Sequence, residues 1–482
     1  MNTDLRSDRP GGRARSRRPA QLPAAAMAAA LLAAGAAVLA ASSPANAIGI
    51  PNDAFLYRLG AVTSTAAVPV QNFTDRITYT TAGGFSRTVS IAVRTPPGAA
   101  ETELPVVIIA HGGGEQPNAR NPATTLPEWG EALARAGYLT INVLHGTNVG
   151  TDRTALCNAI GYPVTPDPAA LSATLQDLAA ALVQASQSAG GVAIAVDELI
   201  DAHPGLFDHL ADMGEEHDEE SPLVEQVMDI LLARLQGCRS INGLGLWDRP
   251  YDIAAVVDAL HDGVITELDG WIDTDRIALL GHSNGTSSVL NAVGLQRALP
   301  NGVKVPAPFP AGHERRPLAA VALSPMGVNT YGLFDTAAWA PGVTDSKEHS
   351  WMGLNDIAVM TLTGDGDNHC KTRYVCSDSD SGAKRMIPFH RMPGGNKYSV
   401  YLHDRLAEEI VSSHELFGSL DAPGVCRSPS LAGLCADEVK WLKSAVIAFL
   451  DAHVLSEQSA VNWLRSKNLS RASGRLARMK RK

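Results

Sequence analysis

Short apolar runs recur along the chain and alternate with stretches in which apolar residues return every three or four positions. A run of branched residues without polar alternation is typical of a strand that is buried on both faces of a sheet. The predicted core strands are residues 106–110, 138–143, 277–280, 318–323, 357–363 and 398–402. Since strands that alternate with helices form parallel βαβ units, the sequence predicts an α/β fold, a three-layer sandwich around a mostly parallel central sheet.

The segments between these runs predict the helices of the outer layers and one hairpin. Residues 284–295 and 437–450 have helical period, and a third helix is predicted to start at Pro250, because proline favours the first turn. A shorter helix ends at Gly137. Residues 76–95 alternate between apolar and polar positions around Ala82-Gly83-Gly84, which predicts a β-hairpin ahead of the core strands.

Residues 151–246 interrupt this alternation with helical stretches, polar breaks and an acidic run at 215–220. We interpret them as a helical cap insertion between two parts of the core, 48–150 and 247–455. Ligands of α/β proteins bind at the carboxyl ends of the strands, where such an insertion leaves the sheet, so we expect it to cover the site. A remote helical appendage is the alternative.

The basic C-terminal tail, residues 456–482, carries eight Lys and Arg and no acidic residue from Arg465 onward. This charge pattern predicts that the chain from Arg465 onward is frayed and solvated. Attachment to an anionic surface is the alternative.

Residues 1–47 have the pattern of a signal peptide. Four arginines between positions 13 and 18 precede an uncharged Ala/Leu-rich run at 19–43, and Ala45-Asn46-Ala47 offers small residues for cleavage. A membrane anchor is the alternative, but the run is too rich in alanine for stable spanning. The twin-arginine export route matches less well, because Pro19 follows Arg17-Arg18. The sequence therefore predicts a secreted protein, periplasmic or extracellular, without a membrane span.

Composition narrows the possible partners. The 482 residues are 45% hydrophobic and 19% charged, which excludes a wholly disordered, collagen-like or coiled-coil chain. The net charge is −10, and it becomes −14 when residues 1–47 are removed with their six Arg and two Asp. Because binding to phosphates needs a basic surface, nucleic acid is not expected as a partner. A small or neutral substrate fits this charge better.

The six cysteines are even in number, and in an oxidising compartment they predict disulfides. Closeness in sequence favours the pairs Cys370–Cys376 and Cys426–Cys435, which leaves Cys157–Cys238 to close the insertion. A metal site is the alternative, but the spacings match no usual zinc pattern, so no metal is expected.

The most informative motif is Gly281-His282-Ser283-Asn284-Gly285, which directly follows a predicted buried strand and precedes a predicted helix. This setting is the one that a nucleophile elbow requires, because small residues let the chain turn sharply and leave the serine exposed. Ser283 is therefore the candidate nucleophile. A glycine-rich turn without chemistry is the alternative.

A second glycine motif, His111-Gly112-Gly113-Gly114, follows an earlier strand. In an elbow of this kind, the oxyanion hole takes one backbone N–H from the residue after the nucleophile and one from such a loop. The predicted donors are Asn284 and Gly113, with Gly112 shaping the loop. A phosphate-binding loop is the alternative, but the chain lacks the lysine that opens a P-loop helix.

The serine needs a general base and an acid that orients it, in the chain order Ser, Asp or Glu, His. Asp367 is the preferred acid, since about three residues usually separate the end of the strand from the acid, and Asp365 is the alternative. Among the histidines that follow, His414 is preferred because it lies in a loop after the last predicted strand. The alternatives are His403, His390 and His369.

These motifs resemble the α/β-hydrolase superfamily, and within it the bacterial dienelactone-hydrolase-like and platelet-activating-factor-acetylhydrolase-like serine esterases. The resemblance covers about residues 76–150 and 247–455. It rests on His111-Gly112, Leu144-His145-Gly146-Thr147-Asn148, Arg249-Pro250-Tyr251-Asp252-Ile253, Val257-Asp258-Ala259-Leu260 and the elbow. The chain departs from the family at Thr286, where a second glycine is common. It also has Ser324-Pro325 where the acetylhydrolase branch places its acid.

The function that we predict from these residues is hydrolysis of carboxylic esters, of the lipase or esterase type, on a small-molecule or lipid-like substrate. Ser283, His414 and Asp367 would form the triad, and no cofactor is needed. A serine peptidase uses the same triad and is one alternative. A binding protein with an inactive hydrolase fold is the other.

Overall fold

We describe the protein from a computed structural model. It covers residues 51–81, 84, 86–99, 102–112, 121–145, 241–298, 304–325, 351–367, 382–404, 412–420 and 432–482. All of them belong to one compact unit of the chain.

The described residues form a nine-stranded mixed sheet and a separate two-stranded ribbon. The strands are β1 Val70–Thr80, β2 Ser86–Arg94, β3 Leu104–Ala110, β4 Leu139–Leu144, β5 Ile272–His282, β6 Arg297–Ala298, β7 Lys304–Val305, β8 Ala319–Leu323, β9 Ala358–Gly364, β10 Lys397–Leu402 and β11 Ala477–Arg481. In the sheet they follow the order β1-β2-β4-β3-β5-β8-β9-β10-β11. The six strands from β4 to β10 in that order are parallel, and β1, β2 and β11 pair antiparallel at the edges. The ribbon is β6 with β7.

Helices connect and flank these strands. They are α1 Leu59–Thr63, α2 Pro127–Arg135, α3 Ile241–His261, α4 Asn284–Ala292, α5 Gly382–Arg385, α6 Ile387–Arg391, α7 His414–Gly418, α8 Ala432–His453, α9 Gln458–Arg465 and α10 Asn468–Ala472. Single 3₁₀ turns lie at Asp53–Phe55, Pro122–Thr124 and Thr266–Leu268. None of the helices in this part of the chain is long and apolar enough to cross a membrane.

The core is divided between the two faces of the sheet. Side chains of a strand point alternately to opposite faces, and β3 shows the consequence. Val107 and Ile109 belong to a cluster with residues of α2 and α8, whereas Val106 and Ile108 belong to a cluster with residues of α3 and α4. Helices therefore cover both faces, which explains why β3 is apolar at successive positions.

The predicted α/β class and mostly parallel sheet are confirmed at this level. Each of the six predicted core strands is present, and the predicted hairpin is the antiparallel pair β1 and β2. The prediction that a helix starts at Pro250 is wrong about the start, because α3 spans Ile241–His261 and contains Pro250 in its interior. The helix continues through the proline although proline removes a backbone hydrogen bond. In the preceding turn Asp248 and Arg249 are buried, with Asp248 3.7 Å from Arg87 and Arg249 donating to the backbone oxygen of His111 at 3.4 Å.

The prediction of a frayed C-terminal tail is wrong. Strand β11 extends the sheet by pairing antiparallel with β10, and Leu476 and Ala477 are buried in the core. The basic residues Arg478 and Lys480 are exposed. The charge of this segment is thus carried on the solvent side of an edge strand, an arrangement that discourages pairing with another chain.

Several predictions concern residues outside those that the structure describes. They include the signal peptide at 1–47 and the cap insertion at 151–246, of which only residues 241–246 are described, as the start of α3. Cys435 is the one cysteine among the described residues. It is buried, and no cysteine in this part of the chain is free. The three predicted disulfide pairs remain predictions.

Candidate active site

Ser283 lies at a sharp turn between the end of β5 and the start of α4. Its backbone has φ 53° and ψ −123°, a region that residues with a side chain rarely adopt. Two close backbone approaches make this turn possible. A Cβ atom at Gly281 would lie 2.3 Å from the carbonyl oxygen of Gly285, and one at Gly285 would lie 2.3 Å from that of Ala110. The two glycines of the motif are therefore required by the packing of the turn itself.

The loop after β3 passes directly beside Ser283. A Cβ atom at Gly112 would lie 2.7 Å from the Cβ of Ser283, so only glycine fits there. Asn284, the predicted second donor, is the first residue of α4, where the helix dipole is positive and favours negative charge. Gly113, the predicted first donor, lies outside the described residues, although its neighbour Gly112 is placed against Ser283.

The structure brings Asp367 and His414 together. Asp367 follows β9 and is completely buried, and His414 is the first residue of α7. The Nδ1 atom of His414 lies 3.0 Å from Oδ1 of Asp367, and the hydroxyl of Thr363 donates to Oδ2 at 2.7 Å. Since an ionised carboxylate only accepts hydrogen bonds, the Nδ1 proton of His414 faces Asp367 and Nε2 is left as the basic nitrogen.

The alternative acid and base also contact each other, but at the surface. Nδ1 of His403 lies 3.3 Å from Oδ2 of Asp365, with the His side chain 36% and the Asp side chain 42% exposed. His390, on α6, is exposed too. His369 lies outside the described residues. The buried pair of Asp367 and His414 therefore has the surroundings expected of a catalytic pair, and the surface pair does not.

His282 connects this pair to the elbow. It directly precedes Ser283, and its Nε2 lies 3.0 Å from the backbone oxygen of His414, with 4.7 Å between the two ring centroids. Burial lowers the pKa of His282 to about 3, and the nearby His414 ring acts in the same direction. His282 is therefore neutral at pH 7 and donates its Nε2–H to the His414 carbonyl, which ties the start of α7 to the residue before Ser283.

Two residues that the sequence analysis did not assign also contact Asp367. The Ser324 hydroxyl, after β8, donates to Oδ1 at 2.7 Å and lies 2.6 Å from Nδ1 of His414. Arg385, fully buried at the end of α5, has its Nε 3.2 Å from Oδ1 and also donates to the backbone oxygen of Asp367. No local motif marks either residue, because each reaches Asp367 from a different element.

These contacts determine the charge of Asp367. Burial by itself would raise its pKa, since it removes water from the carboxylate. The Arg385 guanidinium and the hydrogen bonds from His414 and Thr363 outweigh burial, so the pKa of Asp367 lies below its ordinary value. The carboxylate is therefore ionised at neutral pH and can stabilise positive charge on His414.

A second buried polar cluster lies around Asp252 and extends to His111. Asp252 on α3 is completely buried and accepts from Arg87 at 2.7 and 2.9 Å and from Tyr79 at 2.9 Å. Its Oδ2 lies 3.1 Å from Nδ1 of His145, and the His145 ring lies 5.0 Å from that of His111, the residue before Gly112. Burial would raise the pKa of Asp252, but Arg87 and His145 hold it well below its ordinary value.

No group of three or more His, Cys, Asp or Glu side chains that could hold a metal ion occurs in the described part of the chain. The arrangement that is present consists of a strained serine, a glycine backbone beside it and a buried Asp–His pair. Such groups can activate a hydroxyl and accept the proton that it loses. No protein family matches the sequence, and no curated protein matches it significantly.

Proposed function

We propose that the protein is a serine hydrolase with an α/β-hydrolase fold that cleaves carboxylic esters through an acyl-enzyme. The observation that carries this proposal is the buried Asp367–His414 hydrogen bond next to the elbow, with His282 contacting His414 from the position just before Ser283. The chain order Ser, Asp, His and the elbow between a strand and a helix support the same fold. The alternative acid Asp365 and the alternative base His403 are exposed and lack such a buried contact.

In the proposed reaction, His414 Nε2 takes the Ser283 hydroxyl proton as Oγ attacks the ester carbonyl carbon. The carbonyl electron pair moves to oxygen, where the N–H groups of Asn284 and Gly113 would stabilise it. The C–O bond to the alcohol then breaks, and His414 returns the proton to the leaving oxygen. Water, activated in the same way, hydrolyses the acyl-enzyme, while Asp367 stabilises the imidazolium in both steps.

We also propose that the enzyme is exported, that it acts on small-molecule or lipid-like esters and that its cysteines form disulfide bonds. The predicted signal peptide favours a secreted enzyme. The negative net charge favours a small or neutral substrate over nucleic acid, and the resemblance to serine esterases suggests small-molecule or lipid-like esters. A serine peptidase remains the second candidate, because it needs the same triad. A peptide amide substrate distinguishes the two.

Replacement of the triad residues tests the mechanism. Ser283→Ala should reduce turnover of p-nitrophenyl esters about a thousandfold or more, because only the oxyanion hole and substrate binding remain. His414→Ala should have a similar effect. His403→Ala is the matched control, since its ring pairs with a carboxylate at the surface, and it should retain activity close to that of the wild type.

The substrate panel contains short-chain and long-chain p-nitrophenyl esters and one peptide p-nitroanilide. A fluorophosphonate probe should label the wild type and not Ser283→Ala. Full activity of His414→Ala with loss in His403→Ala would contradict the assigned base. Faster cleavage of the amide than of every ester would favour the peptidase. Absence of both labelling and turnover would favour a binding protein.

A further inference from the structure

Ser324 occupies the space between the two partners of the proposed triad. Its Oγ lies 2.7 Å from Oδ1 of Asp367 and 2.6 Å from Nδ1 of His414, and the residue is completely buried. Oδ1 of Asp367 and Nδ1 of His414 are 3.0 Å apart, so these two atoms and the Ser324 Oγ form a closed triangle. Ser324 comes from the end of β8, Asp367 from the loop after β9 and His414 from the start of α7. Three separate elements therefore converge at this point.

The hydrogens of this triangle can be assigned from donor and acceptor chemistry. The carboxylate of Asp367 only accepts, so the hydroxyl proton of Ser324 goes to Oδ1. The Oγ lone pairs then accept the Nδ1–H of His414, which is shared between Oγ and Oδ1. This arrangement fixes the tautomer of His414, because a proton on Nδ1 leaves Nε2 as the acceptor that faces away from Asp367.

The backbone of Ser324 has a conformation that residues with a side chain rarely adopt. Its φ is 50°, in the left-handed region where glycine is the usual residue. The strained backbone is held by a hydrogen bond from its N–H to the Leu362 carbonyl at 2.7 Å and by one from Arg385 to its own carbonyl at 3.3 Å. Glycine would relieve the strain and keep both of these bonds. Only the hydroxyl contacts would be lost.

We propose that Ser324 is a positioning residue of the catalytic pair. It holds the Asp367 carboxylate and the His414 ring in the orientation in which they contact each other. Its oxygen stabilises the positive charge that His414 acquires when it accepts the Ser283 proton. This inference rests on the proposed serine hydrolase function. Because the charge on His414 develops only during the reaction, loss of the hydroxyl affects kcat rather than KM.

The test compares two serine-to-glycine replacements at left-handed positions. Ser324→Gly should reduce kcat for a p-nitrophenyl ester by about 10- to 100-fold, the effect of one lost hydrogen bond to a charged group, and leave KM within about twofold. Ser456→Gly is the control, since Ser456 has φ 57° but is exposed and belongs to the connection between α8 and α9. It should leave both constants unchanged. Thermal unfolding of both variants checks that each is folded.

A spectroscopic measurement tests the inference without turnover. In the full-length Ser283→Ala protein, the Nδ1 proton of His414 should give a downfield ¹H resonance, and adding Ser324→Gly should move it upfield. Ser324→Ala provides a second variant if the glycine protein is poorly folded. A folded Ser324 variant with wild-type kcat and an unmoved resonance would overturn the positioning role. Wild-type protein that neither turns over esters nor labels at Ser283 would instead overturn the hydrolase proposal itself.

Discussion

At the scale of single residues, the candidate site is built from groups whose charge depends on their partners. Asp367 is completely buried, yet it stays ionised because Arg385, Thr363 and His414 all contact its carboxyl group. A single buried carboxylate without these partners would be protonated. The charge of Asp367 therefore depends on three segments of the chain, which contain Thr363 with Asp367 itself, Arg385 and His414.

The elbow glycines give a prediction at the same scale. Gly281→Ala should destabilise the protein by about 3 kcal/mol or more, since its Cβ would collide with the backbone of Gly285 at 2.3 Å and neither backbone can move freely. Gly433→Ala is the matched control, because a Cβ there meets nothing within 4 Å and alanine favours the helix α8. Denaturant unfolding measures both free energies.

Equal stability of the two glycine variants would show that the turn tolerates a side chain. Ester turnover should fall in Gly281→Ala even under conditions in which the variant is folded, because Ser283 would be displaced. Gly433→Ala should keep full turnover.

The residues of the candidate site that were predictable from the sequence are those that belong to a local motif. Ser283 and its flanking glycines were predicted from the elbow pattern, and the preferred Asp367 and His414 are in fact in contact. Ser324, Arg385 and His282 were not assigned a role. Their contacts depend on how β8, α5 and α7 come together, and no spacing along the chain reports such an arrangement.

At the scale of secondary-structure elements, buried parallel strands were the easiest to predict, because their continuous apolar runs leave little ambiguity. The edge strand β11 was missed. Its alternation of Ala477 and Met479 with basic residues is the pattern of a half-buried strand, but the high charge of the segment favoured a solvated tail. Tertiary pairing with β10 decides its structure.

A single pair of substitutions tests the structure of this strand. Ala477→Asp should cost several kcal/mol, because Ala477 is completely buried and a carboxylate there would lack a partner. Arg478→Asp, at the adjacent exposed position, should change the free energy of unfolding by less than about 1 kcal/mol. Similar small effects at both positions would support a frayed tail and contradict the pairing of β11 with β10.

At the scale of the whole molecule, buried neutral histidines make stability depend on pH. Burial lowers the pKa of His145 to about 4 and that of His282 to about 3. In the unfolded chain both titrate near the ordinary value of about 6.5. Between these values the unfolded state binds more protons than the folded state, so stability rises with pH in this window and falls as the protein is acidified.

We therefore expect the free energy of unfolding to decrease between about pH 6.5 and pH 4.5. His145 and His282 should each contribute about 1.4 kcal/mol per pH unit in the lower part of that range, and His111 and His453, whose pKa values burial also lowers, act in the same direction. Urea unfolding at half-unit pH steps measures the slope. His145→Gln should remove the contribution of one histidine and reduce the slope. Between pH 7 and pH 8 the curves of the two proteins should run parallel. A wild-type curve that is flat from pH 7 to 4.5 would contradict the buried neutral state.

The class of the whole fold was predictable, because periodicity alone separates strands from helices and their alternation implies a parallel sheet. The order of strands in the sheet was not. Strand β3 lies between β4 and β5 although β4 follows it in sequence, and this order depends on which crossovers the chain makes. Long-range packing sets these crossovers, and the local pattern contains no information about them.

The tight packing around the elbow also determines how sequences related to this one should be interpreted. Gly281 and Gly285 are required by backbone contacts that exist whether or not a reaction takes place. Their retention in a homologue would therefore indicate only that the turn is preserved. The middle position is different, because the shape of the turn does not depend on a hydroxyl. A homologue with both glycines and an alanine in place of Ser283 would be expected to keep this architecture and lack the nucleophile. The two glycines therefore indicate common ancestry, whereas the middle residue between them indicates whether the protein can be active.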